Sequence, residues 1–149
     1  MLGDFDQDNL LTAADIDLLS EAVRDSSNDL QFDINMDGEV SNSDREFWVS
    51  DLAMTYFGDS NLDQAVNFND FLPMALSFGG TGGWADGDFD GSGEVKFSDF
   101  VHLATNFGKR SGEVASVPEP SSMALFAWFV FVVRRGRSDR HRVTIKSVS

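Results

Sequence analysis

Apolar residues recur at helical spacing in four short stretches of this chain, residues 13–23, 42–57, 68–78 and 97–107. A period near 3.6 predicts a helix in each, with Leu or Phe along one face and polar residues along the other. Three of the stretches finish in Phe-Gly, at Phe57-Gly58, Phe78-Gly79 and Phe107-Gly108, which is the glycine stop signal. The segments ahead of the helices lose the period and are rich in Asp, Asn and Gly. Only three residues precede the first of these segments. The last follows Gly79-Gly80-Thr81-Gly82-Gly83-Trp84, a run too rich in glycine to form a stable helix.

Those polar segments are four copies of one twelve-residue pattern that opens and closes with Asp, starting at residues 4, 33, 59 and 88. Oxygen-bearing side chains at positions 1, 3, 5 and 12 suit a hard cation such as Ca²⁺, which takes roughly six to eight oxygens at about 2.3–2.6 Å. The candidate ligands are Asp4, Asp6, Asp8 and Asp15; Asp33, Asn35, Asp37 and Asp44; Asp59, Asn61, Asp63 and Asp70; and Asp88, Asp90, Ser92 and Asp99. Contiguous backbone wrapped this tightly needs a sharp turn at position 6, where Gly38 and Gly93 fit best and Asn9 next, with Gln64 the departure. Loops 3 and 4 are expected to bind more weakly, because of Gln64 at the turn and Ser92 in place of a carboxylate. Leu11, Val40, Val66 and Val95 at position 8 predict a short antiparallel contact between paired loops. The position-12 aspartate falls in the first helical turn, where the helix dipole favours an anion.

Loop separations of 29, 26 and 29 residues group the repeats into two similar pairs, residues 1–57 and 58–110. Units of this size have marginal cores of their own, so metal binding is expected to contribute much of the folding free energy. The expected fold is mainly α. Two tandem pairs of loop plus helix are followed by a short hydrophobic C-terminal helix. Residues 1–133 carry 24 acids against 5 bases, −19, and residues 134–149 carry 6 bases against 1 acid, +5, which gives the net −14. So acidic a surface disfavours nucleic acid, and the absence of cysteine removes disulfides, thiolate metal sites and thiol nucleophiles.

Loop followed by a single exiting helix, duplicated, with Asp rather than Glu at position 12, resembles the type I dockerin repeat over about residues 3–108. The resemblance implies EF-hand-like calcium loops in an extracellular module that mediates protein attachment, with a cohesin-like or envelope protein as partner. In that family positions 10 and 11 contact the partner; here they hold Ala13-Ala14, Asn42-Ser43, Phe68-Asn69 and Phe97-Ser98. The third and fourth units align along their whole length. Phe71, Phe78, Phe100 and Phe107 repeat at i, i+7 and are expected in the core.

Beyond the repeats lie a linker at 111–120 with Val117-Pro118-Glu119-Pro120, an eleven-residue apolar run at 123–133, and Arg134-Arg135-Gly136-Arg137. That order resembles a PEP-CTERM sorting tail over 121–137, with a further basic tail at 138–149. It implies export to a bacterial cell envelope or extracellular matrix, processing by an exosortase-like enzyme, and membrane association through 121–137. Eleven residues make about 16 Å of helix against a ~30 Å hydrocarbon core, so spanning needs flanking residues. The chain opens Met1-Leu2-Gly3-Asp4 directly in a loop, with no signal-like segment. The expectation is therefore that it is the C-terminal portion of a larger exported protein, or the product of a late start codon.

No catalytic residues are expected. The carboxylates are accounted for by the loops, His102 is a lone helix residue, His141 lies in the basic tail, and no nucleophile elbow occurs. The sequence thus reads as a non-enzymatic calcium-binding attachment module. The alternative is the C-terminal anchoring fragment of a secreted polysaccharide-degrading enzyme.

Overall fold

Helix starts in this chain are set by one device repeated four times. In the computed structural model, which describes residues 1–112, α1 (Ala13–Arg24), α2 (Asn42–Phe47), α3 (Phe68–Ser77) and α4 (Phe97–Asn106) each begin right after loop position 9. Thr12, Ser41 and Asn67 sit there in extended conformation and accept an N–H of the first turn. The Asp three residues further on returns a bond to the cap N–H, which completes a capping box. Lys96 has no side-chain acceptor, and α4 keeps only the Asp99 half of the box, from Lys96 N–H to Oδ2 at 2.8 Å. The fold is mainly helical, with no strand among the described residues.

Helix ends depart from the expected Phe-Gly stops in the first half. α1 closes through Ser26, at φ +51°, with Ser27 N–H on Ala22 O at 2.9 Å and Ser26 N–H on Val23 O at 3.1 Å. That is the two-bond helix terminus usually built on glycine. The second helix was expected to run to residue 57, but its α-helical part ends at Phe47 and continues as a π-helical segment, Trp48–Leu52. Met54 at φ +53° then turns the chain out, and Thr55 is spent on Asp59. The widened turn puts Trp48 and Leu52 over Gly3, whose hydrogen faces both side chains; a Cβ there would lie 2.7 Å from Leu52. Gly58, read as a helix stop, instead allows close approach to the Leu103 backbone, 2.8 Å from an ideal Cβ.

Residues Met1–Gly112 form one compact unit. Ile16, Leu19, Ile34, Trp48 and Val49 from the first half meet Val66, Met74, Trp84, Phe89, Val95 and Leu103 from the second in one core. Each such side chain contributes about 1.5–3 kcal/mol when fully buried. Trp84, in a 3₁₀ turn at Trp84–Asp86, stands edge-on to Phe89 at 5.3 Å and tilted against Phe57 at 5.6 Å.

Two expectations are corrected here. The position-8 valines do not pair with each other. Val66 exchanges backbone bonds with Gly108 and Lys109 (2.8 and 3.0 Å), and Val95 does so with Gly79 and Gly80 (2.8 and 2.9 Å). With no helix entering either loop, the segment behind each is the other helix's C-terminal glycine turn, and the free backbone groups pair there. The aromatics expected in the core are the second correction. Phe71 packs against it, but Phe78, Phe100 and Phe107 are exposed. Met74 and Leu103 take the inward positions and rotate those rings to the surface.

Among the described residues no helix is long and apolar enough to cross a membrane. The hydrophobic helix expected at 121–137, most of the linker and the tail at 138–149 lie outside them.

Candidate metal centre

The four loops share one hydrogen-bond frame, built from side-chain oxygens at positions 1, 3, 5 and 12. At position 1, one oxygen of Asp4, Asp33, Asp59 and Asp88 accepts the N–H of position 5, at 3.1, 3.1, 3.2 and 3.0 Å. The other accepts the N–H of position 6, from Asn9, Gly38, Gln64 and Gly93, at 3.1, 3.0, 2.8 and 2.7 Å. Position 3 accepts the position-5 N–H in every loop, through Asp6 (3.1 Å), Asn35, Asn61 and Asp90 (each 2.9 Å). Position 5 accepts from position 7 through Asp8 (2.8 Å), Asp37 (2.9 Å), Asp63 (3.0 Å) and, more weakly, Ser92 (3.4 Å).

Position 12 ties the loop shut. Asp15, Asp44, Asp70 and Asp99 are all fully buried. One oxygen of each reaches back to the loop's first N–H groups, from Phe5 (2.7 Å), Ile34 (2.9 Å), Ser60 (3.0 Å) and Asp90 (2.9 Å). The other caps the helix, as the Thr12 bond to Asp15 at 2.9 Å illustrates. Loop closure and helix initiation therefore share one carboxylate.

The backbone turns twice in each loop, although the sequence signalled only once. Position 6 is left-handed as expected, but so is position 4, at Gln7 (φ +62°), Met36 (+62°), Leu62 (+56°) and Gly91 (+74°). Three of those four are residues for which this region costs about 1–2 kcal/mol. Alternating left-handed residues aim the side chains of positions 1, 3 and 5 to one side.

Carboxylate oxygens converge in two loops. Oxygens of Asp4, Asp6 and Asp15 all lie within 4.8 Å of one another, as do those of Asp88, Asp90 and Asp99. Opposed ligands at about 2.3–2.6 Å from a calcium ion are themselves some 5 Å apart, so these sets fit that ion. Loop 4, expected to be among the weaker sites, is thus one of the two whose acidic oxygens are best gathered. Asn35 and Asn61 supply amide oxygens at position 3 and Ser92 a hydroxyl at position 5, so loop 1 offers four carboxylates and loops 2, 3 and 4 offer three each. The ammonium of Met1 lies 3.7 Å from Asp4; no other ion pair reaches a ligand-position aspartate among the described residues.

The electrostatics record this crowding. Burial pushes the Asp88 carboxyl up to about 6, with Asp90 and Asp99 adding to the push and the Gly93 N–H opposing it. Burial also raises Asp59, against bonds from the Thr55 hydroxyl and Gln64 N–H. Asp90 is lowered: its burial is outweighed by the Ser98 and Ser92 hydroxyls and the Ser92 N–H.

Several supporting residues carried no sequence signal. The Thr55 hydroxyl donates to Asp59, Ser43 Oγ to Asp37 at 3.1 Å, and Ser98 Oγ to Asp90 at 2.6 Å. Ser43 and Ser98 hold position 11, and in this structure both hydroxyls turn back onto loop carboxylates. His102 is half-buried, with its ring 5.4 Å from Phe57. No family model, curated protein or solved structure matches this chain.

Proposed function

We propose that this chain is a non-enzymatic, calcium-stabilised, dockerin-like attachment module. The observation that carries the reading is the set of four fully buried aspartates at position 12, Asp15, Asp44, Asp70 and Asp99. Buried carboxylates are stable when paired or when they coordinate a metal, and no basic side chain forms an ion pair with them among the described residues. Bound calcium would supply the positive charge that the clustered side chains lack. Asp15 and its counterparts then link loop closure to the first turn of each helix, and the helices gather the shared core.

Attachment is supported by the outer faces of α3 and α4. Phe68 and Phe97, both at loop position 10, are 60% and 68% exposed, and Leu72 and Val101 continue the two apolar stripes. Apolar surface kept exposed on two matching helices suits a protein partner, in this reading a cohesin-like or envelope protein. The Pro-Glu-Pro motif, apolar run and basic cluster of residues 117–137 support an exported, envelope-associated or extracellular setting with processing by an exosortase-like enzyme.

Calcium titration of the chain, read by calorimetry and circular dichroism, tests the proposal. Binding heat with a gain in helix at millimolar calcium is expected. Absence of both overturns it.

A further inference from the structure

We infer that loop 4 couples the two halves of the 1–112 unit: Arg45 and Arg24 grip its backbone, so that filling loop 2 raises the calcium affinity of loop 4. The inference rests on the calcium reading above. Arg45, in α2, is only 3% exposed. Its Nη2 donates to Phe89 O at 2.7 Å and its Nη1 to Asp90 O at 2.8 Å, while Arg24 Nη1 donates to Gly91 O at 2.8 Å. Those three carbonyls belong to positions 2, 3 and 4 of loop 4. Two guanidinium groups from the first half thus hold successive peptides of a loop in the second.

Arg45 is itself fixed from the first half. Its Nε donates to Ser20 Oγ at 2.9 Å, and that hydroxyl donates to Ile16 O at 2.7 Å within α1. No carboxylate lies within 4.0 Å of it among the described residues, and the charges that favour its cationic form are Asp88, Asp90 and Asp99 of loop 4. Backbone and guanidinium meet closely. A Cβ on Gly91 would lie 2.7 Å from Arg45 Cζ, at a left-handed residue.

The path from loop 2 is one residue long. Arg45 directly follows Asp44, the position-12 aspartate that caps α2 and closes loop 2. Whatever firms Asp44 in place also fixes the start of α2, and with it the fork on loop 4. A planar fork orients two acceptors at once in a way an ammonium does not. The guanidinium charge opposes a cation in loop 4 whether loop 2 is filled or empty. Coupling therefore comes from the position of Arg45, and by linkage it acts equally in both directions.

Two glycine amides report on the two loops separately: Gly38 N–H on Asp33 in loop 2 (3.0 Å) and Gly93 N–H on Asp88 in loop 4 (2.7 Å). Calcium is titrated into ¹⁵N-labelled full chain while both amides are followed. Asp33→Asn is expected to raise the Gly93 midpoint on the order of fivefold or more, the lower end of usual coupling. In an Arg45→Gln or Arg45→Lys background the same substitution is expected to leave that midpoint within about twofold, below the usual range of such couplings. If Arg45 variants lack native circular dichroism at saturating calcium, Ser20→Ala, which removes the hydroxyl that fixes Arg45 Nε, replaces them with the expectation that coupling is reduced, and coupling of wild-type size in that variant overturns the role of the fork. An equal Gly93 midpoint in wild type and Asp33→Asn overturns the coupling, and coupling retained in Arg45→Lys overturns the role of the fork. No calcium response at either glycine removes the calcium reading itself, and the coupling with it.

Discussion

The indole N–H of Trp84 donates to the backbone carbonyl of Asp59 at 2.7 Å, so a core side chain holds the first residue of loop 3. Trp48 does the same next to loop 1, with its indole N–H on Gly3 O at 2.8 Å. Core and loops are therefore not separate layers. Trp84→Phe keeps most of the apolar contact and leaves a buried carbonyl without its donor. A loss of about 1–3 kcal/mol in chemical denaturation is expected, the usual cost of such an orphaned group. Calcium affinity should fall in loop 3 more than in loop 4. An unchanged denaturation midpoint would remove the role given to this bond.

Asp99→Asn tests the double duty of position 12. The amide retains an oxygen that can accept from Asp90 but loses the charge and the second acceptor used by Lys96. Calcium binding at loop 4 is expected to weaken at least about tenfold, together with a loss of about 1 kcal/mol from the capping interaction. α4 has the weakest cap, so its amides should show the largest rise in hydrogen exchange. Equal exchange in all four helices would argue against the shared carboxylate.

Acid should act in opposite directions on the calcium-free and calcium-bound protein. Asp88 has its pKa raised on folding, from 3.8 to about 6. The folded chain thus binds that proton more tightly than the unfolded chain, and this contribution to stability is full below about 3.8 and lost as pH rises through about 6. Calcium has to displace the same proton, so the loop 4 affinity falls as pH drops through that window. Isotherms at pH 7 and pH 5 should show the weakening, while melts without calcium gain from this group on the same change. Asp88→Asn removes the Asp88 part of the calcium-free response; a pH response identical to wild type would rule it out.

Met36 is 81% exposed and holds φ +62° at position 4 of loop 2. Met36→Gly relieves the left-handed strain and loses little packing, so it should stabilise the protein by about 0.5–1 kcal/mol. Gly91→Ala, at the same position of loop 4, should destabilise it, because the added Cβ meets the Arg45 guanidinium at 2.7 Å. Thermal melts of the two variants check the contrast, and a shift of the same sign in both would contradict it.

The sequence carried the ligand frame well because every contact in it is local, within about twelve residues, and each depends on a side-chain oxygen. It carried helix starts as well, through the onset of the apolar period and the position-12 aspartate in the first turn, whereas the caps at Thr12, Ser41 and Asn67 emerge from the structure. Helix ends were harder to read. Ser26 and Met54 occupy left-handed positions that propensity gives to glycine, and tertiary contacts at Thr55 and Gly3 decide where the second helix stops. Periodicity placed Phe100 and Phe107 on a helix face but could not say which face Leu103 would claim. Arg45 carried no signal in the sequence, since its partners at Phe89 and Asp90 lie more than forty residues away.

The exchange between Val66 and Gly108-Lys109, and between Val95 and Gly79-Gly80, makes the two loops of the second half unequal in what they need from the chain. Val66 is held by peptides more than forty residues further on, beyond loop 4 and α4. Val95 is held by peptides that precede it. A chain cut before residue 108 would therefore keep the latch of loop 4 and lose that of loop 3.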